Sequence, residues 1–231
     1  MKTIGIIVAM QLEMTYLQTQ LELIQTKTIC NHTFYEGTYH QNKVVFTIAG
    51  IGKVNAGVTT ILMIEHYHPT WIVNTGIAGG YHRDLKPLDI VIARRLLYAD
   101  VDMTSKIAGG YPYGQIEGLP PYFTTNTKYL QHIKSEGHIF YGDIITGDQF
   151  VDNYEQVDVL VQQKFPQYQV LAVDMESCAI AHVCMMNQIE CIVIRSISDV
   201  IGKSSEMDYQ TFSKRAADQA CQLVLEIIGA N

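Results

Sequence analysis

The chain is poor in what nucleic-acid and membrane partners require. Lys and Arg total 16 against 23 Asp and Glu, a formal net charge of −7, and no run of basic residues occurs anywhere. An electrostatic footprint for DNA, RNA or an anionic membrane is therefore excluded. No apolar run is long enough to cross a bilayer. The N-terminal MKTIGIIVAM carries one Lys and no small-residue cleavage site, so it reads as a first β-strand rather than a leader. The five cysteines, Cys30, Cys178, Cys184, Cys191 and Cys221, form no CxxC pair and mostly sit inside apolar runs. That excludes a disulfide framework and fits reduced thiols in a cytoplasmic protein. The eight histidines lack metal-ligand spacing such as HExxH, and neither GxGxxG nor a P-loop is present, so no metal and no cofactor is expected.

What the chain has is apolar, β-branched runs. With 231 residues, 48% of them hydrophobic, it can bury a substantial core. Strands are expected at 3–9, 43–49, 71–75, 89–93, 169–173 and 191–198. These runs are continuous rather than alternating, as strands covered on both faces are. Helical periodicity occupies 52–66 (Val54, Val58, Ile61, Leu62), 154–164, 176–187 and 208–228, where Phe212, Ala216, Ala220, Leu223 and Ile227 form one stripe. The alternation predicts an α/β fold with a central sheet. FYEGTYHQNKVVFTIAG breaks the pattern: two β-rich runs flank only the polar turn HQN, which predicts a hairpin and hence a mixed sheet. No repeat or low-complexity linker divides residues 1–231, so one domain is expected. Residues 105–121 hold four of the 17 glycines and three of the six prolines, and read as one long loop.

Three acids stand at the ends of expected buried strands: Glu13 after IGIIVAM, Glu176 after VLAVDM and Asp199 after CIVIRSIS. In open α/β sheets the carboxyl ends of strands border the ligand crevice, so parallel strands would bring the three together. Each has an ordinary explanation. Glu13 fits a surface acid in the first turn of a helix, facing the positive end of its dipole. Asp199 fits an N-cap or turn residue. Glu176 is harder to dismiss, because it heads a helical run on the stripe that includes Ala179 and Ile180, where an unpartnered carboxylate costs several kcal/mol or shifts its pKa.

Two glycine-rich stretches, AGIGKVNAG (49–57) and NTGIAGG (74–80), read as turns that let a backbone approach a ligand. Phe150, flanked by polar residues in TGDQFVDN, fits either a stacking platform for a flat base or a loop anchor.

IGIIVAM with Glu13, AGIGKVNAG, NTGIAGG, TGDQF, VDMES and RSISD occur in the order and spacing of the bacterial 5'-methylthioadenosine/S-adenosylhomocysteine nucleosidases, and the chain resembles that family over essentially its whole length. The resemblance implies a three-layer, nucleoside phosphorylase-like fold with a mixed central sheet flanked by helices. It also implies hydrolysis of the N-ribosidic bond of 5'-methylthioadenosine and S-adenosylhomocysteine, and of 5'-deoxyadenosine, within methionine salvage. By the same resemblance Asp199, beside Ser198, is the general acid at adenine N7 and Glu13 the general base on water, a division of labour known from glycosidases. Glu176 then accepts from the ribose hydroxyls, Phe150 stacks on adenine, the Val151 backbone reads the base edge, Ala78 and Gly79 border the site and Met175 lies beneath the sugar. Ile51, Met10 and Tyr209 supply apolar wall. The resemblance also implies a homodimer in which loop 100–121, through Met103 and Ile107, completes the partner's 5' pocket. Ile77 departs from the family's usual Ser, and Val151 and Tyr209 from its usual Ile and Phe.

Two other functions fit the same residues. A phosphorylase would need cationic or N–H donors for phosphate at the sugar, where Glu13 would repel it. A non-catalytic adenine-nucleoside sensor would keep the pocket without turnover. Asp199, for its part, is the residue type the superfamily pairs with adenine rather than with 6-oxopurines.

Overall fold

The computed structural model describes residues 2–130, 138–203 and 206–230, with backbone only at 206–208. In chain order the elements are β1 (Thr3–Val8), α1 (Gln11–Gln20), β2 (Glu22–Ile29), β3 (His32–Tyr39), β4 (Asn42–Ile48), α2 (Lys53–Tyr67), β5 (Trp71–Gly80), β6 (Ile90–Tyr98), β7 (Phe123–Thr124), β8 (Ile139–Thr146), α3 (Tyr154–Lys164), β9 (Val170–Asp174), α4 (Ser177–Met186), β10 (Glu190–Val200) and α5 (Glu206–Ala230).

The strands join in one mixed sheet, in the order β10-β6-β8-β9-β5-β1-β4-β3-β2 with β7 on β6. An additional pairing of β10 with β5 closes β5, β10, β6, β8 and β9 into a ring, from which β1, β4, β3 and β2 extend as an open wing. Helices cover both sides. One buried cluster contains Ala56 and Met63 of α2 with Cys178 and Ile180 of α4; another contains Met14 and Leu17 of α1 with Val224 and Ile228 of α5. The expected hairpin is present as β3 and β4, paired from Phe34 opposite Thr47 to Tyr39 opposite Asn42.

Several expectations change. NTGIAGG is strand, not turn: β5 continues to Gly80 and is buried almost throughout. Asp199 likewise lies within β10, at a bulge opposite Gly79, rather than past the strand's end. ELIQTKTI forms β2, an exposed edge strand whose Lys and Glu discourage further pairing. The helical periodicity expected at 52–66 is present as α2, with Val54 76% and Val58 43% exposed, Ile61 and Leu62 half-buried, and Ala56, Thr59, Thr60 and Met63 buried. Residues 105–121 are a loop held by local bonds, with a short 3-10 turn at Lys106–Ala108 and N–H donation from Tyr111 to the Met103 carbonyl.

One topological detail positions the site. β5 shares a single edge between two partners: its first half pairs parallel with β1 through Asn74, and its last two residues pair antiparallel with β9. β1 and β9 therefore run toward each other, and their carboxyl ends meet beside residues 75–78. Convergence of Glu13 and Glu176 comes from this head-on meeting, not from parallel strands. β10 lies along the other edge of β5 and sets Arg195 opposite Gly76.

Candidate active site

Glu13 sits in the first turn of α1, as a dipole-facing acid would, but it is only 1% exposed. Its Oε2 accepts from the N–H groups of Ala9 (2.8 Å) and Met10 (2.9 Å), and its Oε1 from Ile77 N–H (3.0 Å) in the stretch of β5 edge that has no strand partner. Burial raises its pKa above the ordinary carboxylate value, opposed by Arg195 and by the three N–H donors.

Glu176 is the residue before α4. Its Oε1 accepts from Gly52 N–H at 3.0 Å, and its Oε2 lies 3.5 Å from Arg195 Nη2. Gly52 caps α2 with φ +97, a left-handed conformation that glycine adopts without strain. The next N–H, that of Lys53, binds Asp148 in the TGDQF loop at 2.8 Å, so the start of α2 fixes both the loop and the carboxylate. Burial pushes Glu176 up to about 7, opposed by Arg195 and reinforced by Asp174.

Asp199 is half-buried, and Ser198 Oγ donates to its Oδ1 at 2.6 Å. Burial raises its pKa, and the Ser198 bond partly offsets that. A carboxyl held this way retains its proton to higher pH than a solvated one, as a general acid requires.

Arg195 and Asp174 carry no assignment from sequence, although each is a lone charge inside an apolar run, CIVIRSIS and VLAVDM. Arg195 is fully buried. Its Nε and Nη2 bind Asp174 Oδ2, each at 2.8 Å, and Nη2 also donates to Asn74 Oδ1 at 2.8 Å. Its Nη1 has no hydrogen-bond partner among the described residues. Gly76 leaves room for the meeting: a Cβ there would lie 2.2 Å from Glu13 Oε1 and 2.8 Å from Arg195 Nη1. One guanidinium thus faces three acids, Asp174, Glu176 and Glu13.

A single cleft gathers twelve of the fourteen residues singled out from sequence. Among them Glu13, Glu176, Ala78 and Ser198 are buried, and Met175, Gly79, Val151 and Asp199 are half-buried. Met10, Ile51, Phe150 and Tyr209 form the mouth, where Phe150 is 67% exposed and meets Tyr209 edge-on at 6.0 Å between ring centroids. Ile77 also lines the cleft. Met103, half-buried, and Ile107, fully exposed, lie outside this chain's cleft.

The profile described as the phosphorylase superfamily matches residues 3–229, and places the ring-closed mixed sheet with its buried acids in that class. The chain is 36% identical over 232 residues to the 5'-methylthioadenosine/S-adenosylhomocysteine nucleosidase of Bacillus subtilis, covering 97% of each. Among solved structures, the nucleosidase of that name from Neisseria meningitidis, in complex with methylthio-immucillin-A, superposes with a TM-score of 0.91 at 32% identity, over 100% of both chains. The one from Colwellia psychrerythraea, in complex with adenine, gives 0.90 at 34% identity over 99% of this chain and 95% of that one. The chain belongs to the 5'-methylthioadenosine/S-adenosylhomocysteine nucleosidase family and is an enzyme of the N-glycosyl hydrolase type.

Proposed function

We propose that this enzyme hydrolyses the N-ribosidic bond of 5'-methylthioadenosine and S-adenosylhomocysteine, and of 5'-deoxyadenosine, releasing adenine. The observation that carries the reading is the charge imbalance at the base of the cleft: three buried carboxylates share one arginine. Two of them, Glu13 and Glu176, are held above their ordinary pKa by burial. Cleavage develops positive charge on the sugar, so the oxocarbenium-like transition state supplies the counter-charge that the free site lacks. Stabilisation is then greatest in the transition state, which is what accelerates the step.

In this reading Asp199 donates its proton at adenine N7, and Glu13 takes one from the attacking water. Arg195 Nη1, otherwise unused, holds that water from the other side. Glu176 accepts from the ribose hydroxyls over Met175. Phe150 stacks on the base, the Val151 backbone reads its edge, and Ala78 and Gly79 border it. Ile51, Met10 and Tyr209 enclose the 5'-alkylthio group.

Hydrolysis is favoured over phosphorolysis by a second feature of the site. The N–H groups of Ala9, Met10 and Ile77, which could have held an oxyanion, are all bound to Glu13. Adenine release from 5'-methylthioadenosine in phosphate-free buffer tests the assignment. Strict dependence on added phosphate overturns it in favour of a phosphorylase, and binding without turnover in favour of a sensor.

The outward apolar stripe of α2, with Ile51 and Met186 exposed nearby, supports a homodimer. Loop 100–121 would then bring Met103 and Ile107 to the partner's 5' pocket. A cytoplasmic place in methionine salvage accords with four buried free cysteines.

A further inference from the structure

Two side chains, Asp174 in the cleft lining and Asn74 behind it, have no task in the reaction as written, yet both are aimed at Arg195. Asp174 ends β9 with its side chain 1% exposed, and Asn74, in β5, is fully buried. Together they take the Nε and Nη2 side of the guanidinium, each at 2.8 Å.

Both are themselves held from behind. Oδ1 of Asp174 accepts from Thr146 Oγ1 at 2.6 Å and from Ser177 N–H at 3.3 Å, while Thr146 Oγ1 accepts in turn from Cys178 N–H at 3.0 Å. Asn74 Nδ2 donates to the Ile7 carbonyl at 3.0 Å. The guanidinium is therefore anchored through β1, β5, β8, β9 and α4.

A planar fork fixed along one edge has its other edge fixed too. That edge is Nη1, buried, without a partner among the described residues, and lying with Glu13 over Gly76. Stability alone does not account for such an arrangement, because apolar residues of similar volume commonly serve as well as a buried ion pair. Orientation does.

We infer that Asp174 and Asn74 are positioning residues for the hydrolysis: they clamp Arg195 so that Nη1 meets the attacking water opposite Glu13. The inference rests on the reaction proposed above. Asp174 also sets the charge felt by its neighbour, since its carboxylate is one of the groups holding Glu176 up. Removing that charge eases ionisation of Glu176 and moves the acid limb of the pH profile to lower pH.

The experiment compares wild type, Asp174→Asn and Asn74→Ala for adenine release from 5'-methylthioadenosine over acid to neutral pH. Asp174→Asn should lower kcat about 10- to 100-fold, with KM for 5'-methylthioadenosine within about twofold of wild type. Its acid limb should shift downward. Asn74→Ala should lower kcat about tenfold with the limb unmoved. A folded Asp174→Asn enzyme with wild-type kcat and profile overturns the inference. So does a loss confined to the yield of folded protein, with full activity per folded molecule. Should Asp174→Asn fail to fold, Asn74→Ala decides, and wild-type kcat there overturns it. A wild type that releases no adenine defeats the proposed reaction itself, an outcome visible before either variant is measured.

Discussion

The base and the mouth of the cleft are built on opposite principles. At the base, Glu13, Glu176, Asp174 and Arg195 are buried, and each is tied by backbone N–H groups or by one another. At the mouth, Phe150 and Ile51 are more than half exposed, and the ring of Phe150 is braced mainly by Tyr209. Fixed charges in a dry pocket do chemistry because they need no reorganisation during the reaction. Exposed apolar groups recognise a flat base or a thioether tail by area and tolerate variation. Changes at the base should therefore appear in kcat, and changes at the mouth in KM.

The largest expected effect tests whether the base is one unit. Gly76→Ala places a methyl group where Glu13 Oε1 and Arg195 Nη1 now lie and displaces both. Turnover should fall about 10³-fold or more, since misplacement of about 1 Å at a single group already costs about 10²-fold. Near-normal kcat would show that the two groups act independently. Next come Asp199→Asn and Glu13→Gln, each expected to cut kcat about 10²-fold or more with little change in substrate binding. Unchanged turnover in either variant removes that residue from its role.

Glu176→Gln separates function from stability. Glu176 titrates near 7 in the fold against an ordinary 4.5 when unfolded. Between those values the folded state binds the extra proton, so the wild type loses stability as pH rises through the window. Glu176→Gln lacks that titration. It should match the wild type in acid and exceed it by roughly 1–3 kcal/mol above neutrality, while losing activity. Denaturant unfolding at several pH values measures the gap, and a constant difference would contradict the charge imbalance. The smallest effect belongs to the mouth: Phe150→Ala should raise KM by a factor of about ten with kcat nearly intact, in line with base stacking of about 1–3 kcal/mol. A fall in kcat instead would erase the distinction between the two regions.

The two regions also differed in what could be read from sequence. Glu13, Glu176 and Asp199 stood out because an acid after a buried run needs a reason. Arg195 and Asp174 are also charges in buried runs but are less legible, since Arg195 is a base in mid-strand and Asp174 stands two residues before a more conspicuous Glu. The glycines of NTGIAGG suggest a turn, whereas β5 uses Gly76 to seat Glu13 and Arg195. On α2 the periodic Val54 and Val58 are exposed, and small Ala56, Thr59 and Thr60 are what fit against the neighbouring layer. Periodicity identifies a helix but not which face is covered. β8 escaped because Gly142 and Asp143 interrupt its apolar run, although Asp143 is fully paired with Arg95.

The amide of Ile77 donates to the oxygen that would receive a proton in the reaction. Its ¹⁵N resonance should therefore move as that carboxylate gains or loses charge. Labelled protein titrated in an NMR tube would report the base's ionisation directly, with neither substrate nor turnover required.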